Sequence, residues 1–238
     1  MRASGAPICE HRRPMSMPTS RGVVVTGAAG DLGSVVCKRL LDDGFHVLAL
    51  VRRAGESVDA RAIQHVAELS EETQVEAAYD SARAAFGSIW GSVHCAGGWA
   101  GGTVARTETA GFDNMIAINL RSTFLCCRAA LKRMGGQGRI VNVSAYTAAT
   151  YTSIASSAAY TAAKAGVIAL TKAIADEGIA DVRANCVAPG TLRTAKNASA
   201  MPGANHDGWV PLTRVAAAIA YLLSVDAPNG NVLTLPSR

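Results

Sequence analysis

A chain of 238 residues, 49% of them apolar, can bury a substantial core, and roughly 250 residues still fit a single α/β domain. Aromatic residues make up only 5% while Ala and Val abound, which favours helices packed on a Val-rich parallel sheet over a β-sandwich or a disordered chain. The formal charge of +5 sits mostly at the start, where Arg2, Arg12, Arg13 and Arg21 oppose Glu10 and leave only +2 for the remainder, too scattered for a nucleic-acid face.

Residues 1–21 hold Pro7, Pro14 and Pro18 and no apolar periodicity, so a flexible tail is expected there and an amphipathic targeting helix is not. Gly22–Thr26 is a β-branched run that ends in a glycine turn, after which Leu32, Val35, Val36, Leu40 and Leu41 recur at helical spacing. Gly44 stops that helix, and residues 45–51 form a second apolar run, which completes a βαβ unit of about 30 residues. Further strands are expected at 62–69, 89–95, 138–144 and 182–187, with a last one near 231–235, separated by helical pattern that includes 112–134 and 156–176. Strands alternating with helices imply one doubly wound parallel α/β sheet over residues 22–238.

Six cysteines, Cys9, Cys37, Cys95, Cys126, Cys127 and Cys186, show no metal-ligand or secretory pattern, which points to a reduced, cytoplasmic setting. The adjacent Cys126 and Cys127 lie in an apolar run and read as core side chains rather than a redox pair. No run of about 18 apolar residues is present, so no membrane span is expected.

Two short motifs carry chemistry. Thr26-Gly27-Ala28-Ala29-Gly30-Asp31-Leu32-Gly33 sets glycines where a chain must turn tightly and approach a pyrophosphate, with a helix N-terminus behind it. Tyr160-Thr161-Ala162-Ala163-Lys164 puts a phenol and an ammonium four residues apart on one helical face, which is expected to lower the tyrosine pKa from its usual value of about 10.

From Gly22 to Pro236 the ordered motifs resemble the short-chain dehydrogenase/reductase family. His94-Cys95-Ala96-Gly97 is similar to its N-N-A-G, Ile118-Asn119-Leu120 to its catalytic asparagine, and the strand ending in Val143-Ser144 to the one before its active site. The stretch from Val182 to Gly190 is similar to the segment that closes over the nicotinamide. The resemblance implies Tyr160 as general acid/base, Lys164 as the ribose-holding cation that lowers the tyrosine pKa, and Asn119 as anchor of a water that relays protons to Lys164. Cofactor contacts are implied at Gly27, Gly30, Asp31, Leu32, Gly33, Arg52, Arg53, Glu68, Leu69, Cys95, Ala96, Gly97, Ser144, Pro189, Gly190, Leu192 and Thr194, besides Tyr160 and Lys164.

Three departures stand out. The middle glycine of the turn, Gly30, comes one place early. His94 and Cys95 replace two asparagines, which is expected to remove hydrogen bonds between central strands and to leave His94 as a core or solvated residue. Ala145 stands where relatives carry the catalytic serine, Thr147 lies thirteen residues before Tyr160, and Ser144 faces away from Ala145 along the strand.

At the end of the second apolar run the chain reads Leu50-Val51-Arg52-Arg53, with two arginines at the point where an NAD-preferring fold carries an acidic residue, so NADP(H) is expected in preference to NAD(H). The expected activity is hydride transfer between that cofactor and the carbonyl or alcohol of a small organic molecule. A dinucleotide-binding protein without turnover and a non-redox cyclase or isomerase on the same scaffold are the alternatives. Residues 191–210, with Met201 and Trp209, are expected to cover a modest, partly apolar pocket that Trp99 walls. No metal is expected. The helical patterns at 112–134 and 156–176, with Ala-rich faces, suit pairing into a homodimer or homotetramer.

Overall fold

The computed structural model describes residues 21–238. Except for Arg21, the expected tail lies outside the described residues, as does Cys9. Seven strands, β1 (Gly22–Thr26), β2 (His46–Val51), β3 (Ile63–Val66), β4 (Gly91–His94), β5 (Gln137–Val143), β6 (Asp181–Pro189) and β7 (Val232–Leu235), form one sheet in the order β3-β2-β1-β4-β5-β6-β7. Every pairing is parallel, as alternating strands and helices require.

The helices are α1 (Asp31–Asp42), α2 (Glu72–Phe86), α3 (Thr109–Met115), α4 (Ser122–Leu131), α5 (Tyr146–Thr150), α6 (Ala158–Asp176), α7 (Ala195–Ala200) and α8 (Leu212–Leu222). Strand residues alternate between faces. Val23, Val25, Val47 and Ala49 meet Val36 and Leu40 of α1 and Val215 and Ile219 of α8. Val24, Leu48 and Leu50 face the other way, toward Tyr79 of α2, Leu125 of α4 and Ile174 of α6. Both faces are therefore covered, and each buried Val or Leu contributes about 1.5–3 kcal/mol relative to exposure.

Several boundaries differ from the sequence expectation, each for a local reason. Phe45 lies in the turn that closes α1 and not in β2: its N–H donates to Leu40 O at 2.9 Å and that of Gly44 to Leu41 O at 3.1 Å. Gly44 has φ +82, the left-handed closure that glycine tolerates best. The third strand stops at Val66 because Glu68 and Ser70 begin a turn, with Ser70 N–H and Oγ both bonded to Glu68 Oε1. The expected helix at 112–134 runs instead from Thr109 to Leu131. It is interrupted by a π-helical segment, Ile116–Arg121, and ends before Gly135 and Gly136, both at positive φ.

At the N-terminal edge of the strands, fully buried Arg139 donates to the carbonyls of Gly138, Asp181, Ser224 and Val225 and lies over the Trp90 ring at 4.7 Å. A buried cation is tolerated because its donors are satisfied. This clasp lies at the opposite end of the strands from the site described next.

Candidate active site

The strand order reverses between β1 and β4, and open α/β sheets form their ligand crevice beyond the carboxyl ends of strands at such a point. The loops leaving those two strands touch. Gly27 has φ +63, and a Cβ there would lie 2.8 Å from Ala96 Cα; the Ala96 N–H donates to Thr26 Oγ1 at 3.1 Å. A Cβ on Gly33 would lie 2.1 Å from Gly27 O, so α1 packs directly on the turn. Gly30 is the N-cap of α1 without a side-chain cap, which leaves the first-turn N–H groups of Asp31, Leu32 and Gly33 without intrahelical acceptors. The glycine cradle and these donors fit the pyrophosphate of a dinucleotide. Asp31 opposes this with an exposed carboxylate in the same turn, whereas Leu32 turns its side chain into the core.

Tyr160 and Lys164 lie one turn apart on α6. Lys164 is buried, and its Nζ donates to Val143 O at 2.9 Å. Its neighbour across the loop is Gly97, where a Cβ would lie 3.2 Å from Lys164 Nζ and 2.6 Å from Asn119 Oδ1. Asn119 sits in the π segment, a distortion frequent at functional sites. Its side chain grips the loop after β4: Nδ2 donates to Gly98 O at 3.0 Å and Oδ1 accepts the Gly98 N–H at 3.2 Å. Tyr160, Lys164, Asn119, Ala96 and Gly97 thus come together at one mouth.

The expected lowering of the tyrosine pKa does not occur in the chain by itself. Burial pushes the Tyr160 phenol up to about 12 and the Lys164 ammonium down to about 8. Desolvation disfavours both charged forms, and Lys164 is turned toward the Val143 carbonyl. At neutral pH Tyr160 therefore carries its proton.

Ser144 lies just past β5, where its Oγ donates to Lys164 O at 2.7 Å. That hydroxyl holds α6 to the sheet, so it does not stand in for the serine that Ala145 replaces; Ala145 is itself buried. Thr147 falls in α5 and is half-buried.

His94 corrects the expectation of lost strand-to-strand bonds. It is buried, its Nδ1 lies 2.6 Å from Asn142 Oδ1 on β5, and its Nε2 lies 2.8 Å from Ser92 Oγ and 3.2 Å from Tyr79 Oη. Asn142 Nδ2 in turn donates to Thr171 Oγ1 on α6 at 2.9 Å, and Thr171 Oγ1 donates to Val167 O. This order selects the tautomer with a proton on Nδ1, and the ring links α2, β4, β5 and α6. Burial pushes its pKa down to about 4.

At the outer end of β2, Arg52 and Arg53 are exposed, and neither guanidinium has a hydrogen-bond or ion-pair partner among the described residues. Glu56 Oε2 accepts the Arg52 N–H at 3.1 Å, which places a carboxylate beside the two arginines. Beyond β3, Glu68 Oε1 accepts from Ser70, and the Leu69 side chain packs into the core. Cys95 also packs against the core, so Leu69 and Cys95 can offer a ligand mainly backbone.

On the opposite wall Pro189 ends β6, and Gly190 N–H donates to Leu235 O at 2.8 Å. Leu192 pairs with Val210, and Thr194 caps α7 by accepting the Asn197 N–H at 3.0 Å. Trp209 is buried with its ring 4.2 Å from that of His206, whereas Trp99 and Met201 are 67% and 41% exposed. Trp209 thus anchors the cover rather than lining an open pocket.

Comparison with known proteins agrees with this architecture. The family model described as short chain dehydrogenase matches residues 21–204. The chain belongs to the short-chain dehydrogenase family. Levodione reductase of Leifsonia aquatica is 31% identical over 94% of each chain. D-threitol dehydrogenase of Mycolicibacterium smegmatis is 32% identical over 86% of this chain and 85% of its own. Among solved structures, ElxO with NADP bound superposes with a TM-score of 0.84 at 26% identity, covering 92% of this chain and 98% of that one. The protein is therefore an oxidoreductase of the short-chain dehydrogenase family that uses a nicotinamide cofactor.

The cysteine thiols of the described residues are held in the neutral form by desolvation. Burial raises the pKa of Cys37, Cys126 and Cys186 to about 12 and pushes Cys95 and Cys127 up as well, so Cys126 and Cys127 are core residues as read from their apolar run. The residues that sequence reasoning missed are Tyr79, Ser92, Thr171 and Glu56. Each is an ordinary polar residue in its own segment, and only its spatial neighbour gives it a part.

Proposed function

We propose that the protein is an NADP(H)-dependent reductase of small-molecule carbonyls, with the reverse alcohol oxidation available, in which Tyr160 is the general acid/base. The observation that carries this reading is the convergence of a protonated Tyr160, Lys164 and the Asn119-gripped Gly97–Gly98 loop beside the glycine cradle. Hydride would come from, or pass to, a bound nicotinamide. The chain's own groups do the rest: Tyr160 gives its phenolic proton to the substrate oxygen, and Lys164, which donates to Val143 O in the chain by itself, would hold the ribose hydroxyls and stabilise the phenolate as it forms. The Asn119 side chain is engaged by Gly98 and its backbone carbonyl accepts the Thr123 hydroxyl at 2.7 Å; from this position Asn119 would anchor a water that relays protons to Lys164. Gly27, Gly30, Asp31, Leu32 and Gly33 supply the pyrophosphate turn. Glu68, Leu69, Cys95, Ala96, Gly97 and Ser144 would line a bound cofactor, and Pro189, Gly190, Leu192 and Thr194 would cover its nicotinamide end.

The preference for NADP(H) rests on Arg52 and Arg53, and the likeness to ElxO with NADP bound supports it. Charge-assisted hydrogen bonds contribute about 1.5–3 kcal/mol, so one well-placed guanidinium is worth about a ten- to hundredfold preference. Glu56 opposes it and sets the expectation near the lower figure. Oxidation of NADPH and NADH across a mixed carbonyl panel is the test. Arg52→Asp should erase the preference and cost NADH little; equal use of both cofactors by the wild type, or an unchanged ratio in Arg52→Asp and in Arg53→Asp, would sink it.

Ala145 favours a second reading, a protein that binds the dinucleotide and turns over little. In that case NADPH quenches or shifts intrinsic fluorescence but no carbonyl in the panel is reduced. We further propose a single domain over residues 22–238, a cytoplasmic setting and a homo-oligomer. No helix among the described residues is long and apolar enough to cross a membrane, and Phe112 and Phe124, 44% and 45% exposed, lie on α3 and α4 beside the catalytic helix. Light scattering at micromolar concentration should give a dimeric or tetrameric mass; a monomeric mass counts against pairing through α4 and α6.

A further inference from the structure

Residues 236–238, which follow β7, touch both ends of the cover. Ser237 Oγ accepts the Thr191 N–H at 3.1 Å, and the Arg238 N–H donates to Gly208 O at 2.8 Å. Two glycines make room for this segment. A Cβ on Gly190 would lie 2.6 Å from Ser237 Oγ and 2.8 Å from Ser237 N, and one on Gly208 would lie 2.1 Å from Arg238 O. Neither glycine has positive φ, so it is the close approach of the segment, not backbone freedom, that leaves no space for a side chain.

The two ends of the cover are also laced to each other. Val210 N–H donates to Thr191 O at 2.8 Å, and Arg193 N–H donates to Val210 O at 2.9 Å. Residues 190–193 and 208–210 therefore form one small ladder, and residues 237–238 clip it on both sides. Tyr160, Lys164 and Asn119 make no contact with this clip in the hydrogen-bond network described above.

We infer that Ser237 is a positioning residue which, by holding the Thr191 N–H, fixes the 190–194 segment in its covering position; its consequence for catalysis rests on the NADP(H) reading proposed above. Ser237 is exposed, so water competes for the bond and the effect is modest. A loss of positioning weakens binding of the covered ligand without touching the proton donor, so KM should move more than kcat.

The test combines kinetics with proteolysis of the full chain. Ser237→Ala should raise the NADPH KM about threefold with a smaller change in kcat, and Ser237→Thr should restore it. Gly208→Ala, which drives Arg238 away, should raise it about tenfold. Trypsin reads the clip without any cofactor: cleavage after exposed Arg193 and Lys196 should quicken in Ser237→Ala and Gly208→Ala, relative to cleavage at Arg52–Arg53, and slow again in Ser237→Thr. Faster cleavage in a protein that does not use NADPH would keep the clip and reject the cofactor reading. Unchanged cleavage and KM in both variants would overturn the inference, and so would a fall in Tm with cleavage raised equally at all sites.

Discussion

Replacing Tyr160 by Phe is expected to lower carbonyl reduction by about 100-fold or more, because general acid/base groups commonly contribute at least that much, while NADP(H) affinity stays within a few-fold. The ring remains and still packs on α6, and the hydroxyl makes no hydrogen bond to any described residue, so its loss leaves no buried partner unsatisfied. The proton is what disappears. Burial holds the phenol near pKa 12, so the wild-type group is protonated at pH 7 and poised for the reductive direction. Single-turnover reduction alongside fluorescence titration with NADPH separates the two effects. A variant that retains more than about a tenth of the wild-type rate would remove Tyr160 from the role of proton donor.

The second large effect concerns folding stability in mild acid. His94 has a folded pKa near 4, depressed by burial from an ordinary 6.5. The unfolded chain thus binds more protons between these values, and the stability that neutral His94 confers is complete above pH 6.5 and is lost as pH falls toward 4. Linkage puts the loss at about 2 kcal/mol between pH 7 and pH 5, a sizeable part of the roughly 5–15 kcal/mol of a typical domain. The groups facing the ring do not compete in this window, since Tyr79 and Cys127 are both pushed upward by burial and stay neutral. Urea denaturation of His94→Asn at both pH values should show most of that dependence gone, whatever its stability at pH 7. An unchanged slope would show that other groups carry the acid sensitivity.

Much of the site is periodic or local in sequence and was legible there. Glycines at 27, 30 and 33 between a β-branched run and an apolar helix define the cradle, because the need for left-handed φ at Gly27 and for contact at Gly33 arises within seven residues. The spacing of Tyr160 and Lys164 fixes their shared face by helix geometry alone, and Arg52-Arg53 follows directly on a strand whose end the apolar run marks. The doubly wound sheet follows from the same alternation of periods.

Tertiary structure decided what those groups meet. Lys164 points to Val143 O, and Ser144 caps the Lys164 carbonyl instead of serving chemistry. His94 ties the strands together by reaching Asn142 on β5, and through it Thr171 on α6. The Tyr160 pKa rises rather than falls because burial desolvates the phenol, while the Lys164 ammonium is directed at Val143 O. These outcomes rest on partners 20 or more residues apart in sequence, as in the Ser144–Lys164 and His94–Asn142 pairs. Neither a period of 3.6 nor one of 2 encodes such a pairing; only packing helices onto a sheet in one strand order brings those donors and acceptors out of water and next to each other.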